Sequence, residues 1–359
     1  LVLDNGVGAN YTLAGGEGIN ALSLSQAAAT AVSATATISG FQVLNVATAG
    51  TGIIDMDDFE GGFTKVIYDA GLGGATTVDD AVTGTIVEVD VTAVAQNLTV
   101  DLKTDGAADA ITVELDDIGA GDAIGTIDAS DAETLTISVD DDTTTATGTI
   151  AIAGVTLGDA TSVVLSGDAA TTITTFTNPT TAVLASFDAT GMTDNLTMSG
   201  LNLAAAGATI KVGSGDDTVT MATGNGADTV DLSAGGDDTI VYTGLAQSDA
   251  AAMDVVKGFE SGSDDIDLTG MAGRNIISST QFGGVGATRT AAEGLLGGVN
   301  NAVAVFQADD SVLWVDIDAN GILNASDFRV QLEGVSTIAA TDLGLLGAGV
   351  SVSITAANA

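Results

Sequence analysis

Between Gly213 and Ile240 the chain says one short phrase three times: glycines, then one or two aspartates, then threonine and a β-branched residue. The copies are Gly213-Ser214-Gly215-Asp216-Asp217-Thr218-Val219, Gly224-Asn225-Gly226-Ala227-Asp228-Thr229-Val230 and Ala234-Gly235-Gly236-Asp237-Asp238-Thr239-Ile240. Glycine allows a bend with positive φ and lets its carbonyl come close to whatever lies inside the bend. Each aspartate adds a carboxylate there, and the Thr-Val or Thr-Ile pair begins a short strand. Carbonyl and carboxylate oxygens converging on one point suit a hard cation, calcium above all. The competing reading is a glycine-rich hairpin array whose aspartates are merely solvated. Asp217, Asp228 and Asp238 follow one another at intervals of eleven and then ten residues.

Charge agrees with a cation partner. The chain carries 48 acidic and 7 basic residues, a formal net charge of −41 at pH 7. Such a field repels nucleic acid and anionic lipid, so neither nucleic acid nor membrane insertion is expected. It opposes compaction unless counter-ions neutralise it, yet 45% of the residues are hydrophobic, too many for a disordered polyanion. Cysteine and histidine are both absent, which removes disulfides, thiolate or imidazole zinc sites and Ser-His or Cys-His nucleophiles. A zinc protease needs histidines around a glutamate and a lipase needs a histidine beside its serine elbow, so both are excluded. A carboxylate-pair glycosidase survives by residue type, but one Trp and three Tyr are poor material for a sugar-stacking cleft. The chain is therefore read as a non-enzyme.

The chain divides by pattern into residues 1–205, 206–270 and 271–359. The first region is rich in Thr, Ala and Gly and reads as strands and turns. Leu98–Leu102, Ile111–Leu115, Leu135–Val139 and Thr149–Ile152 alternate apolar and polar residues, as strands with one buried face do. Strand spacing is irregular, so a β-sandwich and an irregular β-helix both stand. Ala21–Ala29 is a candidate short helix on alanine propensity. The lone proline, Pro179, fits a layered β-structure with few rigid turns.

After Ile240 comes Asp254-Val255-Val256-Lys257-Gly258-Phe259, then Gly262-Ser263-Asp264-Asp265-Ile266-Asp267-Leu268. Val255, Val256, Phe259, Ile266 and Leu268 are expected to plug the end of the preceding fold, while Asp254, Asp264 and Asp267 lie near a turn able to hold an ion. Further on, Asp316, Asp318 and Asn320 occupy positions one, three and five of an EF-hand-like loop, Gly321 position six and Asp327 position twelve. Asp327 stands where the usual loop has a longer glutamate, and a strand ending in Trp314-Val315 replaces the entering helix. An ion-free turn rich in Asp and Asn is the alternative here. The uncharged tail from Leu343 ends in an alternating stretch, Val350–Ile354, read as a last strand.

The glycine–aspartate phrases resemble the nonapeptide of repeats-in-toxin (RTX) proteins, which builds a parallel β-roll binding calcium between turns. The Asp254–Leu268 stretch is similar to the segment that closes such rolls, and Asp316–Phe328 to one in their terminal β-domain. The resemblance implies an all-β chain: an irregular β-sandwich or β-helix, then a short calcium-binding parallel β-roll, then a terminal β-domain. It implies calcium ligands among Gly213, Gly215, Asp216, Asp217, Gly224, Gly226, Asp228, Gly236, Asp237, Asp238, Asp254, Asp264, Asp267, Asp316, Asp318, Asn320 and Asp327. It also implies one-step export from a Gram-negative cell. In composition and order of parts the chain looks like proteobacterial RTX-type surface-layer proteins. That likeness implies an extracellular structural protein that assembles with itself in the presence of calcium, with surface polysaccharide admitted as a further partner. An RTX-type adhesin, or a non-catalytic fragment of a larger exported protein, is the competing reading.

Overall fold

The computed structural model describes residues 2–344 apart from 4–6, 9, 34, 60–61, 117, 142–147, 179–183, 223–225, 273–275, 277 and 298–301. Pro179, Gly224, Asn225 and the expected strand Val350–Ile354 lie outside the described residues. Two compact units result, Leu1–Asp217 and Thr218–Ala359.

In the first unit the alternating strands pair in parallel, and consecutive strands go to opposite sheets. Ala110–Asp116 pairs with Thr134–Val139, which pairs with Ser162–Gly167. The strand between the first two, Ala120–Asp128, belongs to the other sheet, where it pairs with Leu98–Leu102 and Thr149–Thr156. A parallel return needs a crossover of about a dozen residues or more. Here the crossover is itself a strand of the facing sheet, so one coil contributes one rung to each sheet. This settles the choice left by the sequence: the region is a parallel β-solenoid, not a sandwich. The irregular strand spacing reflects half-coils with turns of unequal length.

Parallel register stacks like positions above one another. Ile111 pairs with Leu135, Leu135 with Val163, Val163 with Phe187 and Phe187 with Ile210. All five are at most 1% exposed, forming an apolar column inside the coils. Full burial of each such side chain contributes about 1.5–3 kcal/mol before entropy is counted. The alternate positions face outward, where Lys65 bridges Glu88 and Glu114 on successive rungs.

The proposed helix at Ala21–Ala29 is only half right. Ala21–Leu24 is a strand paired with Val43–Val46, because Leu22 and Leu24 alternate into the core at 0% exposure. Only Gln26–Ala29 is helical, capped by the Ser25 hydroxyl accepting from the Ala28 amide at 3.2 Å.

The second unit holds two short parallel ladders. Thr218–Thr220, Thr239–Val241 and Asp265–Asp267 form one. Thr229–Asp231 pairs with Val255–Lys257 in the other, and Val255–Lys257 then pairs with Phe328–Leu332. From there the ladder turns antiparallel through Val312–Val315 to Ala304–Gln307, with Phe282–Gly286 outermost. Thus Val255–Lys257 is an interior rung and not an end plug. Val256, Phe259, Ile266 and Leu268 are buried as expected, but Val255 faces outward and is half-exposed. Among the described residues no helix is long and apolar enough to cross a membrane.

Candidate metal centre

The described residues of the glycine–aspartate phrases form bends that lead into the short strands. Two opposite sheets alternate along the chain, so the carboxylates fall into two series. Two coils here span 26 residues each, from Asp228 to Asp254 and from Asp238 to Asp264, and the coil from Thr218 to Thr239 spans 21. The Asp254 Oδ1 accepts the Asp228 amide at 2.9 Å, and the Asp264 Oδ1 accepts the Asp238 amide at 3.0 Å. In the first unit Asp217 behaves likewise: Oδ1 accepts from the Leu196 amide at 2.7 Å and Oδ2 from the Gly213 amide at 2.9 Å. Each carboxylate therefore ties its own bend to the coil before it. Asp217, Asp228, Asp238, Asp254 and Asp264 are all buried, whereas Asp216, Asp237 and Gly236 are exposed.

Glycine is required at three of these positions, Gly213 among them because a Cβ there would lie 2.4 Å from the Met192 carbonyl oxygen. A Cβ on Gly215 would lie 2.5 Å from the Asp194 carbonyl carbon, and Gly236 has φ +123°. Gly213 and Gly226 are buried in their bends, while Gly224 lies outside the described residues.

Burial makes these carboxylates costly to ionise. It pushes Asp217 up to about 6 against the opposing pull of the Leu196 and Gly213 amides. Asp254 is pushed up to about 8, chiefly by burial, with the Asp228 charge acting in the same direction. Its Oδ2 accepts from the Tyr242 hydroxyl at 3.1 Å, and that hydroxyl is itself raised by burial beside Asp254. Asp264 is raised by burial against the Glu260 and Asp238 amides. A cation near such groups would supply what water no longer does. Each carboxylate oxygen has a second lone pair to offer one. Asp267 differs, being half-buried with Oδ1 accepting both the amide and the hydroxyl of Thr269.

The EF-hand-like loop is where three carboxylates converge. Asp316, Asp318 and Asp327 each place an oxygen within 4.8 Å of the others. Asp316 follows the strand Val312–Val315 and is 3% exposed; Asp327 is fully buried and Asp318 is exposed. The Asp316 Oδ2 accepts the Gly321 amide at 3.1 Å, made possible by positive φ at Ala319 and Gly321. The Asp327 oxygens accept from the Ile317 and Asn324 amides at 3.0 and 2.8 Å. Asn320 is exposed; its Oδ1 accepts the Ile322 amide at 2.7 Å, so its carboxamide braces the loop. The Asp316 Oδ1 is buried with no hydrogen-bond partner. An orphaned buried carboxylate oxygen beside two more carboxylates fits a calcium ion, a hard cation that takes oxygen ligands. Asp327 is raised by burial first and by the charges of Asp318 and Asp316 after it.

Sequence reasoning missed the same amide-capturing device elsewhere. The Asp109 amide donates to Glu133 at 2.6 Å and the Asp141 amide to Asp168 at 2.8 Å. Asp342, 1% exposed, accepts from the Ser261 hydroxyl, the Gly262 amide and the Ala339 amide. Glu88, Asp90 and Asp116 also converge on the outward face of the first unit. Glycine three residues before Asp109 was a usable sign; nothing in the local sequence marks Asp342.

Residues 181–344 match the family model described as Peptidase M10 serralysin C terminal. That stretch, under half of the chain, takes in the glycine–aspartate phrases, Asp254–Leu268 and the loop at Asp316–Asp327. That model describes a glycine-rich RTX-type repeat region of secreted Gram-negative proteins, whose repeats bind calcium. The match is to the non-catalytic C-terminal domain, not to the protease domain of that family. The parallel β-solenoid agrees with the fold of that domain. No curated protein matches the chain.

Proposed function

We propose that this chain is a calcium-dependent structural protein of the cell surface, exported from a Gram-negative cell and assembling with copies of itself. The premise is a serralysin C-terminal-type segment in an otherwise acidic, all-β chain. The observation that carries the calcium part is the buried, unpartnered Asp316 Oδ1 among three converging carboxylates. Buried Asp217, Asp228, Asp238, Asp254 and Asp264, with bend carbonyls, are the further candidates. Calcium there supplies positive charge where burial has removed water. Asp216, Asp237 and Asp318 are exposed and suited to completing an ion's shell from outside, as is Asn320.

Self-assembly follows from electrostatics. At net charge −41 copies repel each other until calcium neutralises and bridges them. Calcium-linked ordering also keeps these bends open where calcium is scarce and closes them outside the cell. With neither His nor Cys, the chain lacks the usual nucleophile–base pairs, which supports a non-catalytic role.

Electron microscopy of the purified chain in millimolar calcium, and again with a chelator, tests this. Ordered sheets or filaments in calcium alone are expected. A folded monomer in calcium would instead favour the second reading, an adhesin or non-catalytic fragment, which the partial family match also accommodates.

A further inference from the structure

We propose that Glu293 is a positioning residue for the cation loop at Asp316–Asp327, setting its ion affinity from outside the loop's own sequence. The proposal rests on the reading that this loop binds calcium. The loop's middle amides are held one by one. The Asn320 amide donates to Asp318 at 3.1 Å, Gly321 to Asp316 at 3.1 Å, Ile322 to Asn320 at 2.7 Å and Asn324 to Asp327 at 2.8 Å. Leu323 is the exception. Its amide donates to the Glu293 Oε1 at 3.1 Å, thirty residues away in sequence.

Glu293 is well placed for this. It ends the short helix Arg289–Glu293, whose first turn is capped by Thr288 accepting the Ala291 amide at 3.3 Å. The Arg289 Nε lies 3.4 Å from the same Oε1 and aims the carboxylate, while its guanidinium stacks 5.5 Å from the Trp314 ring centroid. Trp314 stands two residues before Asp316 and packs with Ala292 and Leu323 in one apolar cluster. Helix, tryptophan and loop are thus joined by a hydrogen bond, a cation–π contact and shared burial. Leu323 lies between the two buried ligands, Asp316 and Asp327. Holding its amide fixes the loop before the ion arrives, which lowers the ordering cost of binding. Partners behind a metal's direct ligands typically change affinity by about 10–100-fold.

The test uses terbium, which takes calcium sites and emits when excited through a nearby tryptophan. Trp314 is the only tryptophan, so emission excited at the red edge of its absorption, where Tyr242 beside Asp254 does not absorb, reports on this loop. Calcium competition then gives the loop's calcium affinity. Glu293→Ala should weaken it by about tenfold. Glu293→Gln keeps an acceptor oxygen for Leu323 and should restore most of the affinity. Glu293→Asp keeps the charge but falls one methylene short, and should be as weak as alanine. Circular dichroism in saturating calcium checks that each variant folds, and the Gln and Asp pair decides the matter if alanine does not. Unchanged affinity in Glu293→Ala, or Asp better than Gln, overturns the proposal while leaving calcium binding intact. No sensitised emission from the unaltered chain, matching Asp316→Asn, would instead overturn the calcium reading of the loop itself.

Discussion

At the scale of single residues, the decisive feature is that aspartates expected at solvated or metal-binding bends are buried and bonded to amides. The sign of their pH dependence follows. Asp217 and Asp254 have folded pKa values raised above those of the unfolded chain, to about 6 and about 8. A raised acid contributes stability below its unfolded pKa and loses it as pH rises through its folded pKa. Without calcium, therefore, the melting temperature should fall between about pH 4 and about pH 8, and Asp254→Asn should flatten the upper half of that fall. Asp188, lowered by its bonds to Thr190 and Lys211, acts oppositely but only at more acid pH. Saturating calcium should remove most of the slope; a slope that is the same with and without calcium contradicts metal at these carboxylates. Asp217 was legible in sequence, since glycine before and Thr-Val after mark a bend, and Asp254 by the Val-Val-Lys-Gly-Phe stretch it opens. Their bonding was not, because the donors Leu196 and Asp228 lie a whole coil away from the carboxylates that bind them.

At the scale of elements, period-two alternation located the strands, because inward positions such as Leu135 and Ile137 must be apolar. Strand partners were illegible, since Leu135 meets Ile111 and Val163, residues separated from it by a strand of the other sheet. The same alternation decides Leu22 and Leu24 against helix, overriding alanine propensity nearby. The stacked column makes a direct prediction. Leu135→Ala should destabilise the first unit by about 2–5 kcal/mol in urea unfolding, as large-to-small core changes do. A cost near zero would mean that Leu135 is not enclosed between Ile111 and Val163. Gly215→Ala should also destabilise, because its Cβ meets backbone at Asp194 rather than a movable side chain.

At the scale of the whole molecule, charge and burial pull against each other: 48 acidic side chains, several of them inside the bends. Charge and composition made this conflict readable from the start, and pointed to a divalent cation as its resolution. The cluster of Asp316, Asp318 and Asp327 was readable too, as one EF-hand-like spacing, whereas the contacts of Glu293 and Asp342 arise only through the folded neighbours they reach. The measurement that addresses the central claim is amide hydrogen exchange of the full chain at about neutral pH, with calcium and with a chelator. The amides of Leu196, Asp228, Asp238 and Leu323 should exchange slowly in calcium and far faster once it is removed, while Leu135 in the apolar column changes little. Equal protection of all five amides in the two conditions would contradict calcium as the agent that closes these bends.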